Sequence, residues 1–478
     1  MTAARDTALP TGERTFLGQP VGVAYLAMTE AWERFSFYGM RALLVLYMVQ
    51  AILLPGRIEN VAGMDAYRAW AEGLFGPMST QAFASQTFGL YSGFVYFTPA
   101  FGGIIADRWL GAKRTVMIGI LLMTAGHAAM VFDASFLAAL VLLVLGSGCL
   151  KGNIAAQVGR LYEPHDEARR TRGYTIFSTG INIGATLGPV VCGLLAQVYG
   201  WHVGFGTAGV MMIVAAAVYF AGWRHFAEDT PRRDRAALPP MERAEWSMVG
   251  HVVAILALSL FGFLAYDQSS NVSLIWLSEN VDLSTPYGSV PEAWLIAQDS
   301  LVSILVVPLL IGLWRWQADH GGEPHDTTKL AISAFIMTCA MLAFAGGAMQ
   351  AQDGEKASIA WPILGYMFTG TAFMWGWPTM LALVSRRAPV GINALMMAGV
   401  YFTGFITGVV SGWLGRFYEP LGAVNFHLLH AGIAVTGGIL LLLLGPVLRR
   451  RMDALDAAHP EMLPGHVPAE YSNAPGRS

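Results

Sequence analysis

The sequence predicts an all-α protein that crosses a membrane many times. Of its 478 residues, 55% are apolar and 13% are charged, about half the charged share of a soluble domain. The mean hydropathy is +0.49. Apolar stretches of roughly 18 or more residues recur along the chain, each long enough to cross ~30 Å of hydrocarbon as a helix. The loops between them alternate between basic and weakly charged, as loops on the two sides of a membrane do.

Twelve apolar stretches predict twelve membrane helices. The predicted spans lie near residues 17–50, 83–106, 114–132, 136–160, 172–196, 202–224, 247–278, 291–316, 328–350, 358–385, 391–415 and 425–448. The residues before the first stretch are polar and lack the apolar core of a cleaved signal peptide, so the first span itself is expected to direct insertion.

The charges of the loops predict the orientation, because Lys and Arg are retained on the cytoplasmic side. Every second loop is basic, ending with the run 449–451 after the last span, whereas the alternate loops hold Arg57, Arg68, Lys356 and Arg416. An even number of spans with both termini cytoplasmic follows. The basic residues are thus explained by topology and the net charge is −3, so no nucleic-acid partner is expected.

Composition also predicts the domain boundaries. A charged, Pro-containing cytoplasmic linker at 225–246 divides the spans six and six, into an N-terminal bundle at 17–224 and a C-terminal bundle at 247–451. Segments 1–16 and 452–478 are polar and predicted to be disordered. Two six-helix bundles suggest a substrate site between them near the bilayer midplane.

Residues 51–82, between the first two spans, are too long for a tight turn and contain Trp70 and Phe75. We expect an amphipathic lid at the outer surface. No chemistry can be assigned to it from the sequence.

Ionisable side chains within predicted spans indicate function, because each costs on the order of 3 kcal/mol or more at the bilayer centre and usually faces a cavity or a partner. Those away from the span ends are few: Glu30, Glu33, Arg34, Arg41, Lys151, Asp267 and Asp299. Buried ion pairs stabilise poorly compared with apolar packing. A static salt-bridge network is therefore the weaker explanation for the whole set.

The first span concentrates these charges. Spacings of three, four and seven residues place Glu30, Glu33, Arg34 and Arg41 along one broad face, roughly 16 Å from first to last, and Tyr38 extends that face. A nearby arginine favours the charged form of a carboxylate, whereas burial favours the neutral form. Such a cluster can exchange protons as a cavity opens and closes, which predicts proton coupling.

Residues 29–41, TEAWERFSFYGMR, resemble the ExxERFxYYG signature of the proton-dependent oligopeptide transporter family (POT/PTR). The loop at 103–114, GxxxDRxxGxKR, resembles a signature of the major facilitator superfamily, to which that family belongs. Further positions that resemble the proton-dependent oligopeptide transporter family are residues 151–153, 174–185, 200–206, 267–268, 294, 308 and 387–389. The resemblance implies a twelve-helix major facilitator fold in a bacterial inner (plasma) membrane.

By this resemblance the protein is expected to be a symporter that imports di- or tripeptides, or peptide-like solutes, by alternating access. The implied proton-coupling set is Glu30, Glu33, Arg34, Lys151 and Asp267. The implied substrate-binding set is Arg34, Tyr38, Arg41, Tyr96, Lys151, Asn182, Asp299 and Phe373, and Arg41 with Asp267 would form an outer-gate salt bridge. No cofactor other than the proton, no metal, no catalytic residue and no obligate protein partner are expected.

Two substitutions depart from the family pattern in the region that receives the amino group of a peptide. Phe373 stands where the family has a Glu, and Asp299 stands where it has an Asn. One hypothesis is that the carboxylate for the substrate ammonium has moved from the tenth span to the eighth. The alternative is a substrate without a free amino group, with Asp299 as a proton site. In addition, Phe37 and Gly152 replace a family Tyr and Pro.

Three other functions remain open at this point. A symporter of another small organic anion or modified peptide would fit the loss of the family Glu. An intramembrane enzyme is disfavoured because the sequence has neither HExxH nor GxSxG. A non-transporting sensor would have no need of protonatable groups in its spans.

Overall fold

The computed structural model describes residues 15–163, 166–227, 241–389 and 392–459. Fifteen α-helices lie within them: α1 Val21–Tyr47, α2 Met64–Phe75, α3 Thr80–Phe97, α4 Pro99–Ile105, α5 Ala112–Ala129, α6 Phe136–Gly159, α7 Glu167–Tyr199, α8 Trp201–Gly222, α9 Arg243–Ser269, α10 Val272–Asn280, α11 Glu292–Asp319, α12 Asp326–Gln350, α13 Ala360–Arg387, α14 Asn393–Leu414 and α15 Tyr418–Ala458. The prediction of an all-α fold is confirmed.

The helices follow the twelve predicted spans. One span is bent at Pro99, so that α3 and α4 share it, and another is interrupted at Asn271, so that α9 and α10 share it. By length and apolar composition, nine helical stretches of the described residues are able to cross a membrane. The last of these, Leu395–Ala458, contains both α14 and α15, while α5 and α13 are long helices outside this group.

Most of the segments predicted to be disordered, and most of the predicted linker, lie outside the described residues. At the predicted boundary after residue 451 the prediction was wrong, because α15 continues to Ala458. The reason is tertiary: Arg387 of α13 pairs with Asp453 at 2.7 Å and also with Asp456. These ion pairs hold the extra two turns of α15 against α13.

Six two-residue strands form three pairs in the connections. Strands β1 Thr15–Phe16 and β2 Gln19–Pro20 are antiparallel, as are β4 Ser284–Thr285 and β5 Gly288–Ser289, whereas β3 Val281–Asp282 and β6 Ala357–Ser358 are parallel. Each pair only closes a turn or joins two connections.

Segment 51–82 contains the short helix α2, with Met64 buried and Trp70 exposed. The guanidinium of Arg416, which is distant in the sequence, holds the last residues of this segment. It donates hydrogen bonds to the carbonyl oxygens of Phe75 at 2.5 Å and Pro77 at 2.9 Å. The segment therefore bridges elements that are distant in sequence.

Glycines permit a close approach of α1 and α7. A Cβ at Gly184 would overlap the carbonyl oxygen of Ala31, and one at Gly188 would overlap that of Phe35. Small residues at such crossings let helix backbones pack closely in a membrane protein. This contact fixes α1, which carries the charged cluster, against α7.

Apolar packing divides the helices into two groups. The largest buried cluster is built almost wholly from α1–α8, the first helix group, and two further clusters from α9–α15, the second helix group. Across the groups α3 packs on α14, where Gly89 faces Gly412, and α7 packs on α11, where Trp294 Nε1 donates to the Val190 carbonyl at 2.9 Å.

The order of contacts along α3 and α14 defines the two ends of the bundle. Ser85 lies against Gly415 and Gly93 lies against Gly408, so the two helices run antiparallel. The span before α3 is α1 and the span after α14 is α15, and each runs in the opposite direction to its neighbour. The start of α1 and the end of α15 therefore lie at the same end of the bundle, here named the terminal end. The inter-group contacts of Ser85 and Trp294 lie in the half of the bundle away from it.

Candidate functional site

Helix α1 buries three ionisable side chains in one turn. Glu30, Glu33 and Arg34 are 4%, 0% and 6% exposed. Arg34 Nε lies 3.0 Å from Glu30 Oε1 and also pairs with Glu33. Among the described residues, Glu33 Oε1 and Glu30 Oε2 have no hydrogen-bond partner. The cluster thus combines one fixed cation with two acids that retain free acceptor capacity.

Lys151 of α6 approaches this cluster over aromatic rings. Its Nζ lies 4.3 Å from the ring centroid of Phe37 and 5.1 Å from that of Tyr96. Such cation–π contacts stabilise an ammonium group, most strongly where it is removed from water. Phe37 therefore lacks the hydroxyl of the family Tyr but still supplies the ring that supports Lys151.

Arg41 and Asp267 connect α1 to α9, and hence the two helix groups. Arg41 Nη2 lies 3.9 Å from Asp267 Oδ1, and the guanidinium also lies over the ring of Phe88. Arg41 follows the charged cluster along α1, so this pair lies farther from the terminal end. It is the only inter-group ion pair within the part of the chain that the structure describes.

Asp299 and Phe373 are brought together by a residue that the sequence analysis missed, Tyr266. The Tyr266 hydroxyl donates to Asp299 Oδ2 at 2.9 Å, and its ring stacks on Phe373 with centroids 5.3 Å apart. Asp299 Oδ1 is buried and has no hydrogen-bond partner among the described residues. The one sequence signal for Tyr266 is its position beside Asp267.

Trp377 is a second residue that sequence reasoning missed. Its ring is nearly parallel to that of Phe373, at 6.1 Å and 10°, and it contacts Tyr401 of α14 and Tyr96 of α3. An aromatic wall therefore runs from α13 across to the first helix group. A Trp one residue before Pro378 gives no sequence hint of these long-range contacts.

The remaining predicted residues are less closely connected. Tyr38 is half-buried and packs edge-on against Phe37 at 5.1 Å. Asn182 of α7 is exposed, and its main-chain carbonyl accepts a hydrogen bond from Thr186. The structure thus brings together Glu30, Glu33, Arg34, Lys151 and Tyr96, and separately Asp299 with Phe373.

Comparison with known families identifies the chain. A family model described as the POT family matches residues 113–239 and 240–421, well over half of the sequence. The chain belongs to the POT family. The matched ranges begin after α1, so the α1 motif that led to the same family is separate evidence.

Relatives of this POT-family chain include a di-/tripeptide transporter of Lactococcus lactis subsp. cremoris, 27% identical over 92% of this chain and 98% of that protein. Another is the peptide transporter YePEPT of Yersinia enterocolitica, 25% identical over 92% and 97% of the two chains. Both alignments extend over nearly the whole length of each protein.

Solved structures show the same fold. A peptide transporter POT in complex with sulfate matches with a TM-score of 0.81 at 24% identity, covering 92% of this chain and 97% of that one. A POT family transporter in complex with 5-aminolevulinic acid matches with a TM-score of 0.79 at 21% identity, covering 91% and 98%. The family predicted from the α1 motif is confirmed, and the helical architecture is that of its members.

Proposed function

We propose that this protein is a proton-coupled symporter that imports di- and tripeptides across a bacterial plasma membrane. The observation that carries the proposal is the buried cluster of Glu30, Glu33 and Arg34, with Lys151 held over neighbouring rings. Ionisable groups so far from water are costly and serve substrate and proton pathways in membrane proteins. The names of the two relatives support peptides as the substrate class.

Coupling follows from competition for Arg34. With Glu30 and Glu33 charged, Arg34 is neutralised by two carboxylates. A proton on either acid removes one of these partners, and the carboxylate of a peptide then replaces it, with Lys151 as a second cation. Substrate and proton thus favour each other's binding, which is the requirement for symport.

Alternating access requires the two helix groups to act as two six-helix bundles that rock about the site. The positive-inside pattern places the terminal end in the cytoplasm. The Arg41 to Asp267 pair, the Trp294 bond and the packing of Gly89 then all close the outer side. Opening outward requires these contacts to break and others to form at the terminal end.

We further propose that Asp299 binds the ammonium group of the peptide. Its free, buried Oδ1 is an acceptor without a donor, and Tyr266 fixes the carboxylate through Oδ2. The aromatic faces of Phe373 and Trp377 offer additional cation–π stabilisation. In this arrangement the carboxylate that binds the substrate ammonium lies on α11, whereas the family pattern has it at the position of Phe373 on α13.

The test of the function is uptake of labelled di- and tripeptides into proteoliposomes under an imposed inward proton gradient. Glu33→Gln keeps the side-chain shape but cannot titrate, so we expect it to abolish gradient-driven accumulation. Peptide exchange without a gradient should persist. The matched control is Glu355→Gln, which changes an exposed loop acid. Accumulation that is the same in Glu33→Gln as in the unmodified protein would exclude proton coupling through α1.

A second candidate function is symport of an organic anion or modified peptide without a free amino group. The aromatic pair Phe373 and Trp377, in place of the family Glu, favours it. Competition in the same assay decides between the two. Inhibition by free peptides but not by N-acetylated ones supports the ammonium site, whereas equal inhibition supports the second candidate.

A further inference from the structure

A cavity of about 560 Å³ lies at the terminal end, within the second helix group and outside the site described above. It is bordered by the ends of α11, α12, α13 and α15. The polar part of its lining combines four basic side chains, two acids, His325, Trp314 and two threonines. A volume between roughly 300 and 1,000 Å³ is typical of small-molecule sites.

The charge of this lining is predominantly positive. Lys329, Arg386, Arg387 and Arg449 come from three different helices, and the acids that share the lining are Glu323 and Asp326. Glu323 pairs with Lys329, and Asp326 lies 2.5 Å from Arg386. Arg387 pairs with Asp453 and Asp456, which lie outside the lining, so among the described residues Arg449 is the cation of the lining without a carboxylate within hydrogen-bond reach.

Two N–H donors at this cavity have no acceptor. Trp314 Nε1 and Arg449 Nε are buried and make no hydrogen bond to any described residue. Asp453 Oδ2 lies 4.0 Å from Arg449 Nε, beyond hydrogen-bond reach. A buried donor without an acceptor costs about 1–3 kcal/mol. An anionic oxygen of a bound ligand would supply the acceptor that such a donor lacks.

The position of the cavity suits a ligand from the membrane surface. Trp316, two residues beyond Trp314 on α11, is 58% exposed, and tryptophans concentrate where lipid headgroups meet hydrocarbon. Leu383 and Met452 add apolar surface to the lining. Basic pockets between membrane helices on the cytoplasmic side are known to hold anionic headgroups.

We propose that this cavity binds a phosphate group, carried by an anionic phospholipid headgroup or by a soluble phosphate ester. Arginine and indole N–H groups from separate helices match the several acceptor oxygens of a phosphate. The cavity borders Pro378 and the end of α13 beyond it. A bound phosphate would therefore fix the end of α13 relative to α12 and α15. The proposal does not depend on which solute is transported.

The experiment titrates the purified full-length protein in detergent with phosphatidylglycerol or phosphatidylcholine and counts bound lipids by native mass spectrometry. We expect phosphatidylglycerol to bind more tightly. Arg449→Gln should weaken it about tenfold, the factor that corresponds to one charge-assisted hydrogen bond. The matched control is Arg450→Gln, an equal change of charge at an exposed neighbour outside the lining. Equal lipid affinity in both variants, together with a response to inorganic phosphate that Arg449→Gln leaves unchanged, overturns the proposal.

A parallel measurement distinguishes the two sources of phosphate. Inorganic phosphate is titrated against the lipid-free protein, and the melting temperature is followed. A rise that Arg449→Gln abolishes and Arg450→Gln retains supports a soluble ligand, whereas selective lipid binding without such a rise supports a headgroup. If Arg449→Gln fails to fold, Trp314→Phe removes only the indole donor and is expected to weaken binding in the same assays. Unchanged binding in Trp314→Phe then overturns the proposal.

Discussion

Asp299 has two carboxylate oxygens in different situations, one bonded to Tyr266 and the other buried without a donor. Phe373, where the family has an acid, is stacked on the same Tyr266. The two departures from the family pattern therefore occupy one small region instead of being independent changes. At the scale of single residues, this region is where the substrate preference of this protein is expected to differ from that of its relatives.

Asp299→Asn is expected to raise KM for peptides with a free amino group about tenfold, because the ammonium loses its one ionic partner in this region. N-acetylated peptides should be unaffected. Uptake of both kinds of peptide in proteoliposomes measures the difference. If Asp299→Asn leaves the preference for free peptides intact, Asp299 is not the ammonium site.

Two further variants serve as controls for this prediction. Tyr266→Phe removes the hydroxyl but keeps the ring and the Asp299 charge, so selectivity for the amine should persist. The double variant Asp299→Asn with Phe373→Glu returns the carboxylate to α13 and should recover part of the selectivity. No recovery in a folded double variant would indicate that α13 no longer reaches the ammonium.

At the scale of elements, the position of α1 depends on the glycines of α7. Gly180, Gly184 and Gly188 recur every fourth residue and so face α1 along one stripe. Close backbone contact leaves no space for side chains between the helices. The charged turn of α1 is held by this packing rather than by its ion pairs alone.

Gly184→Ala is expected to destabilise the protein by about 1–3 kcal/mol, because the new Cβ overlaps the Ala31 carbonyl oxygen and the helices must separate. The control is Gly152→Ala on α6, where a Cβ meets nothing within 4 Å. Melting temperatures in one detergent measure both. Equal melting temperatures would show that α1 and α7 are not in close contact in the folded protein.

At the scale of the whole molecule, the two helix groups meet in the half away from the terminal end. The contact of α3 with α14 is glycine against glycine: a Cβ at Gly89 would lie 2.7 Å from Gly412 Cα and overlap the Gly408 carbonyl oxygen. The Arg41 to Asp267 pair lies across the same boundary. The described conformation is therefore closed on this side.

Gly89→Ala is expected to shift the population away from this conformation, because the added methyl group is incompatible with the α3–α14 contact but not with separated groups. A strain of about 1–3 kcal/mol corresponds to a change of roughly five- to 150-fold in the population ratio. Distances between spin labels on the two groups, at the end opposite the terminal end, should lengthen.

The control for this shift is Gly103→Ala on α4, where a Cβ meets nothing within 4 Å. Its label distances should match those of the unmodified protein. If Gly89→Ala and Gly103→Ala give the same distances, the glycine contact does not determine which side is closed.

The helical class, the number of long helices and the family could all be predicted from the amino-acid sequence. Transfer of an apolar stretch into lipid depends on about twenty consecutive residues, so the spans can be recognised locally. The α1 motif is equally local, since Glu30, Glu33 and Arg34 lie within one helical turn. The proximity of these three charges required no knowledge of other helices.

Contacts between distant segments could not be predicted in this way, because they depend on how the helices pack in the folded protein. Tyr266 with Asp299, Trp377 with Tyr96, and Arg387 with the end of α15 each join residues that are far apart in the sequence. Such pairs depend on how helices cross and rotate, which hydropathy does not encode. The cavity at the terminal end is the extreme case, because its basic residues are explained in the sequence by topology and come together only where four helix ends converge.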